Sequence, residues 1–247
     1  LCVAADPKIE AVFAHLPGAN CGACGRAGCI AFAEGLIKGE CTVDKCPVSS
    51  MQKKSEIAKL LGQTAVSTAK KVAVLHCCGG NRVKDKFSYD GVRDCIAANL
   101  VAGGPKNCSW GCIGFGTCVR ACPFGAITMN EATGLPVVDE KKCTACGNCV
   151  GACPKKLFSL VPDEAKIYVA CASQDLGKIV MDVCGVGCIA CRKCEKACEH
   201  DAMHIIDNLA RIDYKKCTGC LACVAVCPTK VIRERHSIQH DNTGKTE

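Results

Sequence analysis

Cysteine accounts for 27 of the 247 residues, and its spacing carries the chemistry. Two runs share one frame, Cys143-x2-Cys146-x2-Cys149-x3-Cys153-Pro154 and Cys217-x2-Cys220-x2-Cys223-x3-Cys227-Pro228. Three thiolates at x2-x2 spacing turn a tight loop around one cubane [4Fe–4S] cluster, and the fourth cysteine, ahead of proline, suits a neighbouring cluster. Zinc favours paired C-x2-C knuckles separated by a longer loop, which this frame lacks. An odd cysteine count and tight repeats also fit a disulfide scaffold poorly.

Each run has a partner upstream. Cys188-x2-Cys191-x2-Cys194-x3-Cys198 keeps the spacing, with Glu199 in place of the proline. Cys112-x5-Cys118-x3-Cys122-Pro123 keeps the frame with Phe115 where the middle cysteine belongs. Cys108, just ahead of Cys112, is the expected substitute; without it the site would hold a [3Fe–4S] centre. The chain is duplicated: Cys108, Cys112, Cys118 and Cys122 recur in order as Cys184, Cys188, Cys194 and Cys198, and Lys-Lys-Cys-Thr opens both second motifs. Each copy reads as a bacterial-type two-cluster ferredoxin unit, in which the fourth cysteine of each motif serves the other motif's cluster. The ligand sets expected in the first unit are Cys108, Cys112, Cys118 with Cys153, and Cys122 with Cys143, Cys146 and Cys149. In the second they are Cys188, Cys191, Cys194 with Cys227, and Cys198 with Cys217, Cys220 and Cys223. Crossed ligands make each cluster a staple between distant segments.

The N-terminal motif is of another kind: Cys21-x2-Cys24-x4-Cys29, then Cys46-Pro47, with Gly18, Gly22, Gly25 and Gly28 freeing the backbone to wrap a cluster. Cys41 competes for the fourth place, and Cys46 is preferred because proline follows it. Zinc or a disulfide pair is the plainer alternative here. Five [4Fe–4S] clusters use twenty cysteines and leave Cys2, Cys41, Cys77, Cys78, Cys95, Cys171 and Cys184. Free cysteine is a common core residue. Alternatively Cys77, Cys95, Cys171 and Cys184, in comparable contexts, close a sixth cluster between the halves.

These loops need elements to position them. Helical patterns run over 7–15, 29–38 and 49–61; strands are expected at 126–129, 137–139 and 157–161, with a buried strand at 71–76 and a strand-like run at 166–170. A helix over 91–102 would carry Val92, Cys95, Ile96 and Leu100 on one face. One Trp, three Tyr and six Phe make a thin aromatic core, so the clusters must supply cohesion. The formal charge of +7 counts no ligating thiolate, and Lys and Arg are spread along the chain, so nucleic acid is not an expected partner. No apolar run approaches the ~18 residues of a spanning helix. Rossmann and P-loop glycine signatures are absent, and His15, His76, His200, His204, His236 and His240 form no readable nucleophile–base arrangement. The expected architecture is α+β: a small helical N-terminal [4Fe–4S] module over 1–62, an intervening strand and helix segment over 63–104, tandem two-cluster ferredoxin units over 105–165 and 166–234, and a polar tail over 235–247 expected to be disordered.

The residues between the cysteines are also informative. Asp6-Pro7-x4-Val12, then Leu16-Pro17-Gly18-Ala19-Asn20-Cys21-Gly22-x-Cys24-Gly25-x2-Gly28-Cys29-x-Ala31-Phe32-Ala33, closely resembles the B subunit of the Rnf complex. The stretch Ala102-Gly103-Gly104-Pro105-Lys106-x-Cys108-x2-Gly111-Cys112-x-Gly114-x-Gly116-Thr117-Cys118 resembles the long form of that protein, and the likeness covers residues 6–233. Short forms lack 63–103. The resemblance implies an electron-transfer subunit of a membrane-bound, ion-translocating ferredoxin:NAD⁺ oxidoreductase, on the cytoplasmic face of a bacterial or archaeal membrane. It implies electrons taken from soluble reduced ferredoxin and passed to the other subunits, with the N-terminal cluster as the exit. Such subunits open with a transmembrane helix, and residues 1–5 are expected to be the end of a missing one, which would provide membrane association. The rival readings are a soluble polyferredoxin subunit of a cytosolic oxidoreductase and, in another class, a zinc-stabilised interaction module.

Overall fold

The computed structural model describes residues 6–63 and 69–235. Residues 1–5 and the tail beyond Arg235, on which two of the expectations fall, lie outside them.

The N-terminal module is helical. Helix α1 (Pro7–Ala14) starts at Asp6, whose side chain accepts the Lys8 N–H at 2.9 Å, and proline fills its first turn. Helices α2 (Cys29–Ile37) and α3 (Met51–Leu60) follow, the latter capped by Ser50. Val12, Phe32, Leu36, Val43 and Ile57 form the core of this module, and Cys29, Cys41 and Cys46 are buried in it.

The rest of the chain runs through one order of elements twice. The first half holds β1 (Lys71–Leu75), α4 (Cys95–Leu100), α5 (Thr117–Arg120), β2 (Ile127–Asn130), β3 (Leu135–Val138), α6 (Asn148–Ala152) and β4 (Phe158–Pro162). The second holds β5 (Ile167–Val169), α7 (Gly177–Val183), α8 (Lys193–Lys196), β6 (Met203–Ile206), β7 (Leu209–Ile212), α9 (Ala222–Ala225) and β8 (Ile232–Glu234). In each half the outer strands pair antiparallel and the inner strands form a hairpin: β1 with β4 from Lys71↔Pro162 to Leu75↔Phe158, and β5 with β8 from Ile167↔Glu234 to Val169↔Ile232. The short α5, α6, α8 and α9 each contain a cluster-motif cysteine, so along the chain each cysteine loop lies between an outer and an inner strand of its half.

Three sequence expectations change. The segment over 63–104 is no separate connector, because β1 hydrogen-bonds to β4 and closes the first half, as β5 does the second. The helix expected over 91–102 shortens to α4, since Asp94 caps it and accepts the N–H groups of Ile96 and Ala97. Its buried residues are Cys95 and Ala98, three apart, while Val92, Ile96 and Leu100 face solvent. Arg235, expected to open the tail, is among the most buried side chains of the chain's described residues. Among those residues no helix is long and apolar enough to cross a membrane.

Candidate metal centres

All the cysteines among the described residues are unpaired. Many of them line small cavities, and among the described residues no three His, Cys, Asp or Glu side chains are arranged to hold a single ion. Cys122, Cys143, Cys146 and Cys149 line one cavity; Cys198, Cys217, Cys220 and Cys223 line its counterpart in the second half. Both sets are those read from the spacing. Burial first, then the charges of Cys143, Cys146, Cys118 and Cys122, push the Cys149 thiol up to about 12. Cys194 is pushed up to about 12 by burial and then by the charges of Cys188, Cys191 and Cys227; it shares a buried core with Cys188, and Cys227 packs against that core.

These surroundings fit a cubane cluster. Thiolates crowded and buried together need a cationic core, which an iron–sulfur cluster supplies. Backbone N–H groups already point at the sulfurs: Ala126 donates to Cys122 Sγ at 3.3 Å, Leu157 to Cys153 Sγ at 3.4 Å and Ala202 to Cys198 Sγ at 3.3 Å. Such bonds stabilise ligating thiolates and tune their potential. Thr144 Oγ1, in the Cys143 loop, is buried with no hydrogen-bond partner and lines the same cavity. A buried hydroxyl left so is costly, and a cluster sulfur would accept from it.

The remaining site of the first half differs from the expected set. Its cavity is lined by Cys95, Cys112, Cys118 and Cys153, and Cys108 is not there. Burial, then Cys95 and Cys153, raise the Cys118 thiol to about 11. Cys95 therefore stands in for the cysteine that Phe115 displaces, brought in on α4 from outside the motif. Cys108 lies instead with Cys77, Cys171 and Cys184 in a cavity between the two halves. The expected sixth set thus exchanges Cys95 for Cys108.

What carries Cys95 to its place is a short relay. Its N–H donates to Thr117 Oγ1 at 2.8 Å, Thr117 Oγ1 donates to Asp94 Oδ2 at 2.7 Å, and Arg120 donates to the same oxygen at 2.7 Å. The Thr117 hydroxyl, then the Ala97 and Ile96 amides and Arg120, hold the Asp94 carboxyl down at about 2. Asp94 thus anchors the segment that carries Cys95. Asp94→Ala should release iron to a chelator ~10-fold faster from this one site, followed as iron–chelate absorbance, while the other centres keep their rate.

In the N-terminal module Asn20 Oδ1 accepts the Cys29 N–H at 2.8 Å and fixes the start of α2. Ser49 donates to Cys46 Sγ at 3.4 Å, whereas Cys41 turns its own S–H toward the Phe32 carbonyl at 3.9 Å. Cys21 is raised by burial and then feels Cys146 of the first half as well as Cys46. Cys2 lies outside the described residues.

A fold and a set of sites of this kind define a multi-centre iron–sulfur protein. A family described as a putative Fe–S cluster domain matches residues 16–48, and one described as a 4Fe–4S dicluster domain matches twice, over 111–157 and 187–231. The chain is 46% identical over 231 residues to the B subunit of the ion-translocating oxidoreductase complex of Methanosarcina acetivorans, covering 93% of this chain and 87% of that one. It is 45% identical over 228 residues to the B subunit of the Na⁺-translocating ferredoxin:NAD⁺ oxidoreductase complex of Acetobacterium woodii, covering 92% and 68%. Against the proton-translocating counterpart of Clostridium ljungdahlii it is 42% identical over 238 residues, covering 92% and 81%. The chain belongs to this family, the B subunits of Rnf-type ion-translocating oxidoreductases.

Proposed function

We propose that this chain takes electrons from reduced ferredoxin and relays them through [4Fe–4S] clusters to the other subunits of a membrane-bound, ion-translocating complex. Five ligand sets carry the relay: Cys21, Cys24, Cys29, Cys46; Cys122, Cys143, Cys146, Cys149; Cys95, Cys112, Cys118, Cys153; Cys188, Cys191, Cys194, Cys227; and Cys198, Cys217, Cys220, Cys223. Two two-cluster ferredoxin units follow one another behind the N-terminal module, in line with the repeated order of elements and the two dicluster matches. Cys46 completes the first set, because its sulfur accepts the Ser49 hydroxyl where Cys41 donates.

The observation that carries this reading is the nearness of successive sets. In the first half Cys118 and Cys149 are buried in one core with Cys112, Cys122, Cys143 and Cys153 packed against it, and in the second Cys188, Cys194 and Cys223 share a core with Cys198, Cys217 and Cys227, so the two sets of each half adjoin. Clusters of this type each accept and release one electron. The protein's part is to hold them close, keep water away and set their potentials through burial and N–H···S bonds. Cys191 and Cys220 are exposed thiols in the second unit, where a soluble carrier can approach. The names of the relatives, which couple ferredoxin to NAD⁺ and to Na⁺ or proton translocation, support the partner and the setting.

The test is EPR of the anaerobically loaded chain titrated with reduced ferredoxin. Each ferredoxin should lose one electron as one cluster gains one, and signals of reduced clusters should grow in step. Clusters that remain oxidised under excess reduced ferredoxin would refute the reading.

A further inference from the structure

One cavity gathers thiols from both halves. Cys77 follows β1 and Cys171 follows β5, while Cys108 and Cys184 precede the opening cysteine of the first motif in each half; all four line it. We propose that Cys77, Cys108, Cys171 and Cys184 bind a sixth [4Fe–4S] cluster that joins the two ferredoxin units into one conductor. The inference rests on the reading of the chain as an iron–sulfur relay and concerns the gap that the five assigned sets leave in its middle.

The pairing is symmetric in a way that core packing does not require. The Cys112 N–H donates to Cys77 Sγ at 3.4 Å, and the Cys188 N–H donates to Cys171 Sγ at 3.4 Å. Each junction sulfur is thus hydrogen-bonded to the backbone of a residue that ligates the next cluster outward. Both bonds place the cysteine sulfur as acceptor, the role of a ligating thiolate. The Ser173 N–H adds a second bond to Cys171 Sγ at 3.4 Å.

Space is kept open by glycine. A Cβ on Gly187 would meet the Val180 side chain and come within 3.4 Å of Cys171 Sγ, and one on Gly79 would stand 3.1 Å from Cys184 Sγ. His76 ties the halves beside the cavity, with Nδ1 2.7 Å from the Val169 carbonyl and Nε2 2.6 Å from Ser159 Oγ. Cys78 is the fifth thiol of the cavity; its S–H donates to the Val186 carbonyl at 3.3 Å, which leaves it outside the ligand set.

The site has a defined place in the relay. The set containing Cys112 lies on one side and the set containing Cys188 on the other, each one hydrogen bond away. Electron tunnelling falls off exponentially with separation, so a centre here divides one long step into two short ones. Each electron lost by one centre is gained by the next, and no bond is made or broken.

The test counts clusters and times their reduction. Native mass spectrometry of the loaded wild-type chain, with iron and acid-labile sulfide analysis, should give six clusters; five would overturn the site without touching the ferredoxin-reduction result. Cys184→Ser should hold one cluster fewer, with the EPR signals of the others retained, and Cys78→Ser should hold six. Unchanged iron in Cys184→Ser, or loss in Cys78→Ser, contradicts the ligand set. In freeze-quench EPR after mixing with reduced ferredoxin, Cys184→Ser should reduce the centres of one unit at the wild-type rate and those beyond the junction at least tenfold more slowly. Equal rates throughout would overturn the bridging role.

Discussion

Cys95→Ser removes one cluster from the first ferredoxin unit, about four irons per chain. The effect is large because the cavity of Cys112, Cys118 and Cys153 has no other thiol to offer. With α4 untied from the segment that carries Cys153, the three remaining cysteines are not held in place even for a [3Fe–4S] centre. Structural metal sites contribute of order 10 kcal/mol to the domains they close, so the first unit should also unfold at a clearly lower temperature. Iron content alone does not show which cluster is gone; double variants do. Cys95→Ser combined with Cys118→Ser should lose no more iron than either change alone, since both address one site. Cys108→Ser combined with Cys118→Ser should lose two clusters' worth. The reverse pattern would restore Cys108 to the ferredoxin motif.

Arg235→Ala should destabilise the loaded protein by about 3–5 kcal/mol, the cost of removing one partner from a buried ion pair. One guanidinium nitrogen shares its two hydrogens among three backbone carbonyls, Pro162 at 2.8 Å, Asp163 at 2.8 Å and Ala165 at 2.7 Å. Nε and the other nitrogen reach the Glu140 carboxylate at 3.1 and 2.8 Å. The side chain is fully buried, at 0% exposure. Alanine would take a charged partner from the Glu140 carboxylate and a donor from three interior carbonyls. Arg235→Lys should recover little, because an ammonium cannot span the fork. Anaerobic denaturant unfolding, followed by cluster absorbance, measures both. A loss below ~1 kcal/mol for alanine would mean that water replaces the guanidinium.

How much of this was legible in the sequence depends on how far apart the partners lie. The x2-x2-x3 frames, the duplication and most of the short strands are local patterns, and the ligand sets around Cys143 and Cys217 follow from them. The cavities of Cys122 with Cys143 and of Cys198 with Cys217 are ringed as the spacing predicts. Cys95 was missed because spacing made it the counterpart of Cys171: each stands equally far ahead of Cys108 and Cys184. Strand pairing gives a different correspondence, in which Cys77 after β1 matches Cys171 after β5. The signal that could have found Cys95 was Asp94 before it, a helix cap, together with the vacancy at Phe115. Arg235 was assigned to a tail because one polar residue at the end of a strand looks like surface. Its burial comes from Glu140 and the turn after β4, which no window of sequence brings near it.

The register of β1 on β4 also sets a timetable. Lys71 waits for Pro162, and Cys95 waits for Cys153, so the first unit cannot close while its second motif is still being synthesised. The second unit waits longer still, for the strand that Ile232–Glu234 adds to β5. On the ribosome the chain emerges with its N-terminal module foldable and its remaining thiols exposed, at ~5–20 residues per second. Iron delivery should therefore proceed in stages from the N-terminus, and a chain halted before Arg235 would carry open thiols that oxygen can reach. A cell short of iron would then accumulate molecules complete at one end and unfinished at the other, which proteases can distinguish from the finished protein.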